Sequence, residues 1–159
     1  MSPLAQSKGL IYMEFQIKLF SELNTTELYN ILQLRSEVFV VEQDCVYQDI
    51  DFKDQKSLHV FGYKVDKIVA YTRIFKPGDY FENASIGRVV VKDSERTYGY
   101  GHDLMKASIK AVKDHFNETK ITISAQKYLK KFYETHQFVQ VGEEYLEDGI
   151  PHIKMIKSK

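Results

Sequence analysis

Two short stretches carry residue types that do chemistry. The first, EQDCVYQDIDFKD at positions 42 to 54, sets five carboxylates and the only cysteine of the chain within thirteen positions. Carboxylates at this density serve a hard cation, a cationic substrate, or simply solvation. The spacing does not suit calcium, because an EF-hand loop counted from Asp49 wants glycine at its sixth place, where Asp54 stands, and glutamate at its twelfth. Cys45 has no cysteine or histidine at zinc-ligand spacing and reads as a small buried filler, so no metal is expected. The second stretch is RTYGYG, Arg96 to Gly101. Glycines at such a place let the backbone turn tightly, so that successive amides and a helix N-terminus face one point, a geometry that binds phosphate. It is neither a Walker loop, since no Gly-Lys-Ser/Thr follows, nor the dinucleotide fingerprint, which needs a third glycine.

The flanking pattern supplies the elements that must position these stretches. EFQIKLF (14 to 20) alternates Phe15, Ile17 and Leu19, the period of a half-buried strand. From Asn24, a candidate N-cap with Glu27 three residues on, the period becomes helical through Leu28, Ile31, Leu32, Val38 and Phe39. Arg35 falls on that apolar stripe and must find an anion. SLHVFGYKV and KIVAYTRIF predict two antiparallel strands turning around Asp66, and ASIGRVVV a third. Met105, Ile109, Val112 and Phe116 keep helical spacing after the glycine loop. KITISA is a short strand, QKYLKKFYETHQF a helix, and the end a hairpin turning near Asp148 and Gly149. The order predicts a mixed α/β (α+β) domain over residues 13–159 with antiparallel hairpins and at least one parallel crossover. Residues 1–12 read as an extension or expression remnant.

Composition narrows the class. The chain has 159 residues, about one domain, and its 22 Lys and Arg balance 22 Asp and Glu. With no overall basic field, nucleic acid and anionic membranes are not expected partners. No apolar run nears the roughly 20 residues that cross a bilayer, and the N-terminus lacks a secretory layout. A cytoplasmic protein is expected.

The loop RTYGYG resembles the Q/R-x-x-G-x-G/A motif of the GNAT superfamily of N-acetyltransferases, and about 25 residues downstream SAQKYLKKFYETHQF is similar to its second block. LRSEVFVVEQDCVYQDIDFKD, IGRVVV, FYETHQF and DGIPHIKM together look like the ElaA-like branch, over roughly residues 14 to 156. One departure is Gln137, where the family has glycine before phenylalanine; it implies either ordinary backbone or strain at that helix end.

The resemblance implies a sheet of about seven strands flanked by about four helices, and direct acetyl transfer from acetyl-CoA to an amine of a small molecule or peptide. It implies that the amides of Thr97, Tyr98, Gly99, Tyr100, Gly101 and His102, with the Arg96 side chain, hold the diphosphate. Val89, Val90, Val91 and Gln126 would line the cofactor arm, with Val90 the expected amide donor to the thioester oxygen and Val91 an alternative. Lys92, Lys130 and Lys131 are further phosphate candidates. Tyr133 occupies the general-acid position. For the base, Glu42, Asp49, Asp51, His59 and His152 stay open, with Glu42 and His152 preferred. Asp49, Asp51, His59 and Arg73 are expected on the acceptor side, the acidic loop forming its wall. Arg35 is expected to pair with that loop; Arg73 and Arg88 are candidates for a substrate carboxylate. The competing reading is a non-catalytic acyl-CoA sensor. Either a monomer or a homodimer fits.

Overall fold

Alternating apolar positions in EFQIKLF do form a strand, β1 (Glu14–Leu19), at one edge of a seven-stranded sheet. The computed structural model describes residues 13–159, so the expected extension lies outside the described residues. The remaining strands are β2 (Leu58–Lys64), β3 (Lys67–Phe75), β4 (Ala84–Val91), β5 (Ile121–Gln126), β6 (Val139–Glu147) and β7 (Ile150–Lys157). Their order in space is β1-β2-β3-β4-β5-β7-β6. All neighbours are antiparallel except β4 and β5.

Helices cover both faces. Helix α1 (Thr25–Arg35) starts at the expected capping box: the Glu27 amide donates to Asn24 Oδ1 at 2.7 Å, and the Asn24 amide to Glu27 Oε1 at 2.9 Å. It runs into a π-helical segment, Ser36–Glu42. The buried stripe is Ile31, Leu34, Val38 and Phe39, with Leu28 and Leu32 half-buried. That stripe packs on Phe61, Ile68, Tyr71 and Val90. Helix α2 (Tyr100–Phe116) lays Leu104, Met105, Ala111 and Val112 on the other face, against Val60, Ile74, Ile86 and Ile123. Val60 and Phe61 show how alternation along one strand serves two cores.

Three backbone features bear on the site. In β4, Tyr71 pairs with Val90 but Arg73 with Gly87, so Arg88 and Val89 together face Thr72. Arg88 takes a φ of 49° in this bulge, which bends the strand. Beyond Ala84↔Ile121 and Ser85↔Thr122, β4 and β5 no longer pair, and a gap opens between them. Helix α3 (Lys130–Glu134) ends in a Schellman motif: the Phe138 amide donates to Tyr133 O and the Gln137 amide to Glu134 O. Gln137 takes a φ of 71°, so of the two alternatives for this residue the strained one holds. The β2–β3 turn sits at Val65 and Asp66, with Val65 also left-handed. At the β6–β7 turn both Asp148 (φ 51°) and Gly149 (φ 77°) are left-handed, as a two-residue I′ hairpin requires.

Candidate active site

Where β4 and β5 part, a cavity of about 440 Å³ opens. Its walls come from Gly87 to Val91 of β4, from Ile123, Ser124 and Gln126 of β5, and from Val38, Phe39 and Gln43 at the π-helical segment. Gly99, Gly101 and His102 close one end; Cys45, Tyr47, Glu147, Asp148 and His152 lie toward the other.

The glycine-loop end is built by a 3₁₀ turn (Asp93–Tyr98) and Gly99, whose φ of 74° lets the chain enter α2. The His102 amide donates to Gly99 O at 3.1 Å, and the start of α2, like any helix N-terminus, presents its first-turn amide ends outward. Thr97, Tyr98 and Tyr100 do not line the cavity; the Tyr98 ring carries Lys64 Nζ at 4.3 Å and Tyr100 is buried. Arg96 does line it, but both terminal nitrogens hold Glu42, at 2.5 and 2.9 Å, while Nε donates to Val91 O. This corrects the expectation for Glu42. Its carboxylate is engaged by the Arg96 guanidinium and does not line the cavity. Lys92 is likewise held by Glu37. Gln126 exchanges two amide hydrogen bonds with Gln43, both 3.2 Å, across the cavity rim.

Along β4, the Lys92 amide donates to Val69 O at 2.8 Å. Amide direction alternates along an antiparallel ladder, so Val90 also points to β3, and Val91 and Val89 turn toward the gap. Val90 is therefore not the free donor expected of it. Tyr133 lines the cavity, 4% exposed, with Phe132 and Phe138 edge-on to its ring. Burial pushes its hydroxyl above the ordinary 10.0, so it stays protonated at neutral pH.

The acidic loop is placed differently from its expected role. Arg35 Nε donates to Asp49 Oδ2 (3.0 Å) and its Nη1 to Asp54 Oδ1 (2.9 Å). Arg73 clasps Asp51 with two bonds of 2.8 and 2.6 Å and shares Asp54. Arg88 reaches Asp49 and Asp51. Two guanidinium hydrogen bonds hold the Asp51 carboxyl far below the usual range against the opposing effect of burial. None of Asp49, Asp51 and Arg73 lines the cavity. They are corrected from acceptor contacts to a buried ionic cluster that fastens the loop. His59 is corrected too: it is 1% exposed, with Nδ1 2.7 Å from the Tyr71 hydroxyl and Nε2 2.9 Å from Asp54 O, and burial lowers its pKa. Of the expected Arg88 role, only the position on the cavity remains.

His152 does line the cavity, on β7. Its Nδ1 lies 2.7 Å from Ile150 O, and its Nε2 3.3 Å from Glu147 Oε2. Ser124 donates to Glu147 Oε1 at 3.1 Å and also bonds the Tyr145 hydroxyl. Ser124, Tyr145 and Glu147 were not singled out in the sequence. The signal was there: a hairpin turning at Asp148 and Gly149 puts Tyr145 opposite His152 and, two residues on, Glu147 on the same face. Among the described residues no group of three His, Cys, Asp or Glu side chains could hold a metal, and no helix is long and apolar enough to cross a membrane.

Residues 22–159 match the family described as acetyltransferase (GNAT) domain. The chain is 43% identical over 147 residues to the protein ElaA of Escherichia coli, covering 91% of this chain and 96% of that one. Among solved structures, an acyl-CoA N-acyltransferase from Pseudomonas aeruginosa superposes with a TM-score of 0.87 at 38% identity, over 92% of this chain and all of that one. E. coli ElaA itself superposes at 0.86 with 42% identity, again over 92% and 100%. The overall fold is thus shared with these relatives, and the chain belongs to the GNAT acetyltransferase family, in its ElaA-like branch.

Proposed function

We propose that this protein transfers an acetyl group from acetyl-CoA directly to a primary amine of a small molecule or peptide, with no covalent enzyme intermediate. The observation that carries the reading is the position of Tyr133: a buried, protonated hydroxyl on the same cavity whose far end is the amide-rich start of α2. The residues present fit acetyl-CoA. Gly99, Gly101 and His102, with Arg96 once it leaves Glu42, would hold the diphosphate at a helix N-terminus. The outward amides of Val91 and Val89 would pair with the pantetheine arm as an added strand, the Val89 amide meeting the thioester oxygen.

Each remaining group has a task. Tyr133 gives a proton to the departing thiolate. His152 is the base: a lysine-like amine is neutral in on the order of 0.1% of molecules or fewer at pH 7, so a group that takes its proton accelerates attack. Cys45 has no covalent role. Its Sγ donates to Asp148 O at 3.3 Å and fixes the loop to the hairpin.

The test has two stages. Thermal shift with acetyl-CoA, succinyl-CoA and free CoA reports the donor; CoA release over an amine panel reports transfer. Acetyl-CoA should stabilise the protein, and at least one amine should accelerate release in the wild type but not in Tyr133→Phe. Binding with no release for any amine would make it a non-catalytic acyl-CoA sensor instead.

A further inference from the structure

A carboxylate to meet a cationic acceptor in the cavity is not supplied by Asp49, Asp51 and Asp54 of the acidic loop, which are spent on three arginines, nor by Asp44, which does not line the cavity. Glu147 and Asp148 do line the cavity, and of the two Glu147 is the carboxylate held by Ser124 and set against His152. Its side chain is 43% exposed, and among the described residues no Lys or Arg pairs with it. Lys127, on the 3₁₀ turn after β5, is taken by Glu144. The I′ turn fixes where Glu147 points, and Ser124 orients Oε1, leaving carboxylate lone pairs for a donor from the cavity.

The contact with His152 is more informative. Nδ1 faces a carbonyl, so Nδ1 carries the hydrogen, and the neutral ring presents a bare Nε2 toward Oε2. Two acceptors 3.3 Å apart make no bond; one added proton makes a charge-assisted one. The pair therefore has a built place for one proton. Beside it stand Tyr47, Cys45 and Ile150, which suit an apolar body behind the charged head.

We propose that Glu147 is the carboxylate that receives the acceptor's ammonium group, and that its contact with His152 Nε2 is where the proton of that group goes. The acceptor class follows: a primary amine that is a cation at neutral pH, on an aliphatic or aromatic body, as in an alkylamine or a lysine side chain. One N–H bond of the ammonium breaks and its proton bonds Nε2, bridged to Oε2. The freed nitrogen pair forms the C–N bond, and the C–S pair leaves on sulfur, which takes the Tyr133 proton. The second amine proton, released as the amide forms, returns to the Tyr133 oxygen. One proton is then left on the His152–Glu147 pair and passes to water, so the sum is amide, CoA thiol and one proton. This inference rests on the transferase reading above.

Glu147→Gln keeps the shape and the Ser124 contact but removes the charge. The measurement is CoA release with a cationic panel (phenethylamine, cadaverine, Nα-acetyl-lysine amide) and with aniline, which is neutral at pH 7. We expect kcat/KM for the best cationic amine to fall about 30-fold or more, mainly through KM, with aniline changed by less than about 5-fold. Acetyl-CoA should shift the melting temperature of wild type and variant alike, which separates the effect from misfolding. Equal losses on aniline and cations, or unchanged turnover of cations by Glu147→Gln, would overturn the role of Glu147 and leave the transferase standing. A wild type that binds acetyl-CoA and releases nothing with any amine would overturn both.

Discussion

The acidic loop and the β6–β7 turn both bring carboxylates close to the cavity, yet only the turn leaves unmatched ones on the cavity wall. Asp49, Asp51 and Asp54 meet Arg35, Arg73 and Arg88, three against three, and nearly all of it is buried. Glu147 and Asp148 meet no Lys or Arg among the described residues and face the cavity. Counting acidic residues along the chain points to the loop. Counting what remains after pairing points to the turn. A charge that is matched, desolvated and multiply hydrogen-bonded is set to hold structure, because its removal strands its partners; a charge left half-solvated beside a cavity keeps its attraction for a ligand.

The largest expected effect lies on the matched side. Asp54 Oδ1 bonds both Arg35 and Arg73, which are 0% and 1% exposed, so Asp54→Ala leaves two buried guanidiniums short of a partner. Chemical denaturation should show a loss of about 3–5 kcal/mol. If Asp54→Ala unfolds at the wild-type denaturant concentration, the cluster is not structural and the contrast collapses.

Tyr133→Phe should do the reverse. The hydroxyl makes no side-chain hydrogen bond among the described residues, so the ring contacts with Phe132 and Phe138 survive and stability changes little. Turnover should fall about 100-fold or more, the worth of a general acid, with acetyl-CoA affinity near wild type. A drop in stability with turnover intact would place Tyr133 with the scaffold.

Acid sharpens the same line. His59 sits inside the matched region, facing Asp54 O, Ser57, the Tyr71 hydroxyl and the Phe20 ring, with Arg35 and Arg73 also opposing its charge. Its pKa is lowered from 6.5 in the folded state, so the unfolded chain binds the proton first. That contribution to stability is present above about pH 6.5 and declines as pH falls below it. Asp51, whose folded pKa is also lowered, adds a second loss below about its ordinary 3.8. His59→Gln should flatten the first decline in melts taken from pH 7.5 to 5; an unchanged slope would take His59 out of the account.

Much of this was legible in the chain. The capping box at Asn24, the alternation of β1 and the I′ turn at Asp148 and Gly149 each rest on local geometry that residue types dictate. Arg35 was readable as a charge in need of an anion, since nothing else on an apolar stripe accommodates it. Less legible was which anion met which cation: the β4 bulge, carried by Arg88 at positive φ rather than by a glycine, turns Arg88 and Val89 by one register and decides which amides face the gap. The π-helical turn after Arg35 also carries no clear signal, though it sets Glu42 against Arg96. Glu147 was overlooked because a hairpin's turn chemistry says where the chain reverses, while the face its flanking side chains share is a matter of register.

The smallest expected effect tests Glu42, which opens the acidic stretch but pairs outside its buried cluster. It lies on the surface, pairs with Arg96, and so holds back the one side chain best placed to reach the diphosphate. An exposed ion pair is worth about 0.2–1 kcal/mol, and that is what binding must overcome to free the arginine. Glu42→Gln should therefore tighten acetyl-CoA binding by about 1.5- to 5-fold in calorimetry, with the gain shrinking as salt screens the pair. Were Glu42 instead part of the acceptor machinery, the same variant would leave acetyl-CoA affinity alone and raise the amine KM. Those two results move different constants, so one variant decides whether negative charge at the cavity mouth restrains the donor or recruits the acceptor.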